Sequence, residues 1–142
     1  MIRVTRRYEF SASHRLHAAA LSEEENRRLY GKCNNPFGHG HNYVLEVSVR
    51  GPVDPRSGRA VDPAALDRLV REKVLRALDH KNLNEQIAAF DRVVPTSENL
   101  GLLIHERLKQ GWTAVFPGDW PRLEKVRIAE TPRNIFEVSD KS

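Results

Sequence analysis

The sequence predicts an α+β fold in the order ββααββ: a four-stranded antiparallel sheet with two helices on one face. Three observations predict this class. Alternating apolar and polar residues occupy the beginning and the end of the 142-residue chain, which is the pattern of half-buried strands. Two segments between them carry apolar residues at helical spacing. A turn-forming tripeptide separates the last two strands, so these strands are expected to pair as neighbours.

The first two strands are predicted at residues 2–12 and from residue 42 onward for about eight residues. Apolar side chains share one face of the first strand except at Arg6, which suggests a position near a sheet edge. The connection at residues 13–38 is polar, and connections of this length are commonly functional or disordered. Within it, Ser22-Glu23-Glu24-Glu25 fits a capping box that begins one or two helical turns.

Both helices begin with recognisable capping residues. Asp62-Pro63 starts the first helix, whose apolar stripe ends near Asp79. Thr96 or Ser97 caps the second, which is expected to run for about 13 residues with Gly111 in the C-terminal position. Each helix therefore has one apolar face to pack on the sheet.

The last two strands are predicted at residues 123–130 and 134–138, joined by Thr131-Pro132-Arg133. Two helices can cover only one face of the resulting sheet, and its two edge strands stay open. We therefore expect the chain, a single domain over residues 1–142, to form oligomers by pairing at these edges.

Composition restricts the class of partner. The chain has 23 Lys and Arg against 19 Asp and Glu, a net charge of +4, which suits an anionic small molecule. Its basic residues are scattered without interleaved aromatics, so we expect no nucleic acid partner. No apolar run reaches the roughly 20 residues that cross a bilayer, and no signal peptide is recognisable, so we expect a cytoplasmic protein with no membrane partner.

His39-Gly40-His41 is the strongest chemical signal, because residues two apart on an extended chain point the same way. If the first two strands pair antiparallel, His14 at the end of the first strand reaches the same place. Three imidazoles without a fourth protein ligand are typical of a catalytic zinc, whose open position takes water or substrate. The alternative is that they are ordinary surface or core histidines, which is the interpretation we favour for His17 and His105.

Three further groups could carry chemistry. Cys33 lies in a polar loop, where Lys32 and a nearby metal would favour the thiolate, although a structural role is the alternative. Asp79-His80 ends the first helix, where the helix dipole and the carboxylate would favour a protonated imidazole; ordinary C-capping is the alternative. Glu130 could accept paired hydrogen bonds from a flat heterocycle or simply face solvent at a strand end.

Five segments together closely resemble the 6-pyruvoyl-tetrahydropterin synthase family, and they cover nearly the whole chain in order. They are FSASHRL at 10–16, GKCNNPFGHGHNY at 31–43, LDHKNLN at 78–84, PTSENL at 95–100 and AET at 129–131. The interval from Cys33 to His39 resembles the animal-type synthases more than the related 6-carboxy-tetrahydropterin synthases. Phe37 and the segment from Trp112 to Trp120 depart from the animal pattern.

The resemblance implies the tunnelling fold, or T-fold, in which the sheets of three subunits close into one barrel with the helices outside. Two such rings stack as a homohexamer with active sites at the subunit interfaces. The implied zinc ligands are His14, His39 and His41. The implied general base and its activating pair, which comes from a neighbouring subunit, are Cys33, Asp79 and His80. The implied pterin pocket consists of Glu130, Thr96, Ser97 and Glu98.

The function implied by the resemblance is that of a zinc-dependent lyase of tetrahydrobiopterin biosynthesis. It would convert 7,8-dihydroneopterin triphosphate to 6-pyruvoyl-tetrahydropterin and release triphosphate, with Zn²⁺ as the cofactor. The alternatives are a 6-carboxy-tetrahydropterin synthase of queuosine and deazapurine biosynthesis and a non-catalytic T-fold module that binds pterin. Candidates for holding the triphosphate are Arg15, Lys32 and Arg133.

Overall fold

The computed structural model describes residues 1–140 and contains one five-stranded sheet in the order β3-β1-β2-β4-β5. The strands are β1 (Ile2–His14), β2 (His39–Gly51), β3 (Lys81–Asn82), β4 (Arg122–Thr131) and β5 (Asn134–Ser139). Neighbouring strands are antiparallel except β3, which lies parallel to β1. The α+β class is confirmed, whereas the prediction of four strands is wrong, because β3 has only two residues and leaves no alternating pattern in the sequence.

Helices occupy the connections between the strands. Their bounds are α1 (Glu23–Tyr30), α2 (Pro63–Val70), α3 (Arg76–Leu78), α4 (Leu83–Gln86) and α5 (Ser97–Val115). A π turn at Arg71–Leu75 joins α2 and α3 into one continuous helix, and 3₁₀ turns lie at Gly31–Asn34 and Ala88–Phe90. The capping box predicted at Ser22 is present, with reciprocal hydrogen bonds between Ser22 and Glu25.

Two predicted boundaries are wrong. β2 begins at His39 rather than near residue 42, because the ladder with β1 continues through the polar residues up to the pair His14 and His39. α5 has 19 residues and contains Gly111 in its interior. A Cβ at Gly111 would lie 3.0 Å from the Leu69 side chain, so this glycine permits close packing of α5 on α2 and does not end the helix.

The hydrophobic core lies between one face of the sheet and the helices α2 and α5. Leu45 of β2, Leu66 of α2 and Leu100 of α5 each contribute a side chain with 0% exposure. The opposite face of the sheet is polar, with a hydrogen bond between Thr5 and Ser48. Apolar side chains alternate with polar ones along β1 and β2 because only one face of these strands is covered.

Arg6 interrupts the apolar face of β1, as the sequence indicated, and its charge is neutralised there. Its guanidinium forms two hydrogen bonds with the carboxylate of Asp67 in α2, at 2.7 and 3.1 Å. The hydroxyl of Tyr8 donates to the same carboxylate at 2.6 Å.

The sheet has two open edges. Only residues 12 and 13 of β1 pair with β3, so most of this side of β1 is one open edge. The outer side of β5 is the second open edge.

The apolar segments of the chain are all short. Across residues 1–140, no helix is both long enough and apolar enough to cross a bilayer.

Candidate active site

The pairing of β1 with β2 brings three histidines together. His14 lies opposite His39, and Ala12 lies opposite His41, so all three imidazoles project from the same face of the sheet. Their ring centroids are 4.6 to 5.1 Å apart. One potential ligand atom from each histidine lies within 4.8 Å of those of the other two, which is close enough for one ion to contact all three.

Each of these histidines has a buried ring nitrogen without a hydrogen-bond partner among residues 1–140: Nε2 of His14, Nδ1 of His39 and Nε2 of His41. The Nδ1 of His14 lies 2.8 Å from the carbonyl oxygen of Pro95, so it donates its proton there and leaves the lone pair on Nε2. Burial lowers the pKa of His14 and of His41. Neutral imidazoles with inward-facing lone pairs are the donor set that Zn²⁺ prefers, so these residues fit the metal that the resemblance implies.

Glu130 lies against this cluster. Its Oε1 is 3.3 Å from Nε2 of His41 and 3.5 Å from Nε2 of His14, and its side chain is 14% exposed. The pairing of β4 with β5 is irregular between Ala129 and Thr131, and such irregularities redirect a side chain locally. The alternative of a solvent-facing carboxylate at a strand end is therefore wrong.

Cys33 lies in the 3₁₀ turn that follows α1, and its carbonyl oxygen accepts a hydrogen bond of 2.7 Å from the amide of Leu16. Its side chain is half-buried. Burial and then the negative charge of Glu130 raise the pKa of the Cys33 thiol, and the charge of Lys32 does not offset them. The expectation that Lys32 favours the thiolate is therefore not met in the metal-free chain.

Two buried asparagines and a half-buried one order the polar connection that carries Cys33. Asn34 donates to the carbonyl oxygen of Leu16 at 2.7 Å, and Asn26 binds both backbone groups of Ala18. Asn84, on α4, accepts from the amide of Arg15 and donates to its carbonyl oxygen. The loop is thus held by side-chain amides that replace the missing ladder bonds.

Gly38 places this loop directly over β1. Its φ is +72°, and a Cβ at this position would lie 2.9 Å from the carbonyl oxygen of His14. Every other residue type would therefore meet both an unfavourable backbone conformation and a clash. The close approach brings the loop to the start of β2, immediately before His39.

The N-terminus of α5 closes another side of the cluster through Pro95. Thr96 is the N-cap, and its hydroxyl accepts from the amide of Asn99. Ser97 is 3% exposed, whereas Glu98 is exposed. Of the three residues at the start of α5 that the resemblance assigns to the pterin pocket, Ser97 is thus the one that offers a buried polar group.

Asp79 and His80 lie apart from Cys33. The helix ends at Leu78, and His80 has a φ of 60° and an imidazole that is 82% exposed. Asp79 accepts from the amide of Ser11 at 2.9 Å and lies 3.1 Å from Nδ1 of His80. Hydrogen bonds attach this pair to Ser11 of β1, whereas Cys33 is hydrogen-bonded to Leu16, five residues further along the chain.

The family model of 6-pyruvoyl tetrahydropterin synthase matches residues 3–141. The chain belongs to this family. The human 6-pyruvoyl tetrahydrobiopterin synthase is 46% identical over 132 residues, which is 93% of this chain and 87% of the human protein. A putative 6-carboxy-5,6,7,8-tetrahydropterin synthase of Archaeoglobus fulgidus is 38% identical over 100 residues, 70% of this chain and 74% of that protein.

A solved 6-pyruvoyl tetrahydropterin synthase from Caenorhabditis elegans has the same fold. It superposes with a TM-score of 0.90 at 43% sequence identity, covering 99% of this chain and 96% of that chain. At this similarity to named synthases, the chain is an enzyme, a lyase like these members of the 6-pyruvoyl tetrahydropterin synthase family.

Sequence reasoning missed the residues that position the site in this family member. Pro95 orients His14 through a backbone carbonyl group, which no side-chain pattern can indicate. Asn34 and Asn84 lie within segments that carry the family resemblance. Asparagine in a polar loop is usually solvated, so the residue type alone does not predict a side chain that binds the backbone.

Proposed function

We propose that this chain converts 7,8-dihydroneopterin triphosphate to 6-pyruvoyl-tetrahydropterin and releases triphosphate, as a zinc-dependent lyase. One observation carries the proposal: three buried imidazole nitrogens, without hydrogen-bond partners among residues 1–140, converge beside Glu130, whose charge also acts on the Cys33 thiol, in a chain of the 6-pyruvoyl tetrahydropterin synthase family. Relatives named 6-pyruvoyl tetrahydrobiopterin synthase support the same reaction for this chain.

The three histidines would hold the metal and leave one tetrahedral position open. When bound, zinc supplies Lewis acidity to the side-chain oxygens of the substrate. His14 is fixed by its bond to Pro95, and His39 and His41 are fixed by the β1–β2 ladder. This rigid placement means that the chain needs no rearrangement to present the three lone pairs.

Cys33 would take the proton from the side-chain carbon next to the polarised oxygen. Its raised pKa in the metal-free chain means that the thiol must lose its own proton on substrate and metal binding, when the charge balance around Glu130 changes. Glu130 would accept paired hydrogen bonds from the pterin ring. The reaction needs no external oxidant, because oxidation of a side-chain hydroxyl to a ketone is matched by reduction of the ring C=N bond.

The product distinguishes the proposed reaction from that of a 6-carboxy-tetrahydropterin synthase. The interval between Cys33 and His39 favours the 6-pyruvoyl product. Incubation of zinc-loaded protein with 7,8-dihydroneopterin triphosphate, followed by mass analysis of the pterin and measurement of released triphosphate, tests the proposal. A 6-pyruvoyl product with triphosphate supports it, whereas a 6-carboxy product with acetaldehyde overturns it. Bound zinc without any reaction would instead indicate a binding module.

We also propose a homohexamer in which Asp79 and His80 of one subunit complete the site of another. The position of this pair on the open edge of β1, away from Cys33, supports the proposal, as do the second open edge at β5 and the polar uncovered face of the sheet. The sheets of three subunits would then close into a barrel. Localisation in the cytoplasm remains a prediction from the sequence.

Mixed oligomers test this arrangement. Cys33→Ala and His80→Ala proteins should each have very low turnover when pure. After denaturation, mixing in equal amounts and refolding, about a quarter of the sites should combine an intact Cys33 with an intact neighbouring His80, and turnover should return to about that level. No recovery, with hexamers verified by sedimentation, would mean that both residues act within one subunit.

A further inference from the structure

A basic cavity is formed by residues that adjoin the proposed site in the chain. It has a volume of about 300 Å³, and its lining includes Arg15, Arg27 of α1 and Lys32. Glu23 is the only carboxylate in its lining. Three cations against one anion give the cavity a net positive charge, which focuses the field on a small volume.

The cations of this cavity have no ionic partners within residues 1–140. None of Arg15, Arg27 and Lys32 forms an ion pair there, and neither does Glu23. Elsewhere in the same part of the chain, several cations are paired with carboxylates, namely Arg3, Arg6, Lys109, Lys125 and Arg127. The positive charge of the cavity is therefore not neutralised by the fold.

The cavity is joined to the proposed site through the backbone. Arg15 directly follows His14 in the chain, and Lys32 directly precedes Cys33. The Nε of Arg15 donates to the carbonyl oxygen of Asn34 at 3.1 Å, which ties the end of β1 to the turn that carries the thiol. Arg15 and Lys32 are thus each one position away in the chain from a residue of the proposed site, and the bond from Arg15 to Asn34 holds the two segments together.

We propose that this cavity binds the triphosphate group of the substrate, an assignment that rests on the proposed function. Guanidinium and ammonium groups are the side chains that recognise phosphate oxygens. A substrate whose side-chain oxygens lie at the histidines extends its triphosphate away from the pterin ring, and Arg15, Arg27 and Lys32 would receive it. Neutralising this charge also stabilises triphosphate as it leaves. Arg133, the remaining candidate, lies instead in the turn between β4 and β5.

Binding of inorganic tripolyphosphate to the zinc-loaded protein, measured by calorimetry, tests the cavity directly. Lys32→Gln and Arg27→Gln should each weaken binding about five- to tenfold, and each should raise KM more than it lowers kcat. Arg28→Gln is the matched control, because Arg28 is the next residue of α1, is exposed and does not line the cavity. Glu23→Gln should tighten binding, since it removes the only carboxylate.

Zinc content is measured after each titration, because tripolyphosphate chelates divalent metals. Equal affinity in all four variants and the parent protein, or no binding, overturns the proposal, and equal affinity would place tripolyphosphate on the metal. Turnover with unchanged KM in Lys32→Gln and Arg27→Gln refutes the cavity and leaves the reaction intact. Charge-dependent tripolyphosphate binding without turnover supports the cavity and refutes the reaction.

Discussion

The core and the polar connection at residues 15–38 are ordered by different interactions. In the core, apolar side chains such as Leu45 and Leu100 are fully buried between the sheet and two helices. In the connection, the buried groups are amides, and Asn26 and Asn34 hold the chain through hydrogen bonds to backbone atoms. Apolar burial is non-directional and tolerates similar shapes, whereas each amide bond has one geometry. We therefore expect that mutations can perturb the stability of the core and the geometry of the site separately.

The largest expected effect on stability is in the core. Leu45→Ala should lower the free energy of unfolding by about 2–5 kcal/mol, because it leaves a cavity between fully packed neighbours. The zinc content and kcat of the folded fraction should change little. Denaturant unfolding and metal analysis measure these quantities. Leu29→Ala, at a position that is 63% exposed, is the control and should change stability by less than about 0.5 kcal/mol.

Removal of a side-chain amide from the loop should lower turnover more than it lowers stability. Asn34→Ala leaves the carbonyl oxygen of Leu16 without its donor, which should cost about 1–3 kcal/mol. Turnover should fall much more than in Leu45→Ala, because the turn that carries Cys33 loses the hydrogen bond of the adjacent Asn34 side chain. Asn134→Ala is the control, because Asn134 is an exposed asparagine outside this loop, and it should retain both stability and turnover. Full turnover in folded Asn34→Ala would refute the separate role assigned to the loop.

A comparison of two glycines with the same φ separates the effect of the close contact between the loop and β1 from that of the left-handed backbone conformation. Gly38 and Gly58 both have a φ of +72°, but only Gly38 has an atom within 4 Å of an added Cβ. Gly58→Ala should cost about 1 kcal/mol from the left-handed conformation alone. Gly38→Ala should cost more and should also weaken zinc retention, since the displaced atom belongs to His14. Equal costs for the two variants, with equal metal retention, would contradict this account.

The smallest expected effect is the pH dependence of the free energy of unfolding of the metal-free protein. Burial holds the pKa of His14 and His41 below 6.5, so the unfolded chain binds more protons than the folded chain once the pH falls below that value. The contribution of these histidines to stability should therefore be constant above about pH 6.5 and decrease below it. Unfolding of chelator-treated protein at several pH values measures this. His14→Asn should weaken the dependence, because one of the histidines with a lowered pKa is removed.

The sequence predicts the core better than the site, and the reason is physical. Periodic apolar residues indicate which side chains are buried, so the main strands and the two long helices follow from pattern alone. The meeting of His14 with His39 and His41 follows only if β1 and β2 are taken to pair antiparallel. β3 has no such period, and the contact of Pro95 with His14 depends on tertiary packing. The placement of Asp79 and His80 on an open edge is equally invisible in the sequence, because it depends on a short parallel pairing.

The central claim is that three histidines form the metal site and that Cys33 lies beside it without binding the metal. Replacement of zinc by Co²⁺, followed by absorption spectroscopy, tests it most directly, because four-coordinate cobalt has visible d–d bands and a thiolate ligand adds a strong charge-transfer band. We predict d–d bands without a charge-transfer band, and an unchanged spectrum in Cys33→Ala. A charge-transfer band that disappears in Cys33→Ala, or no cobalt binding in the parent protein, would contradict the claim.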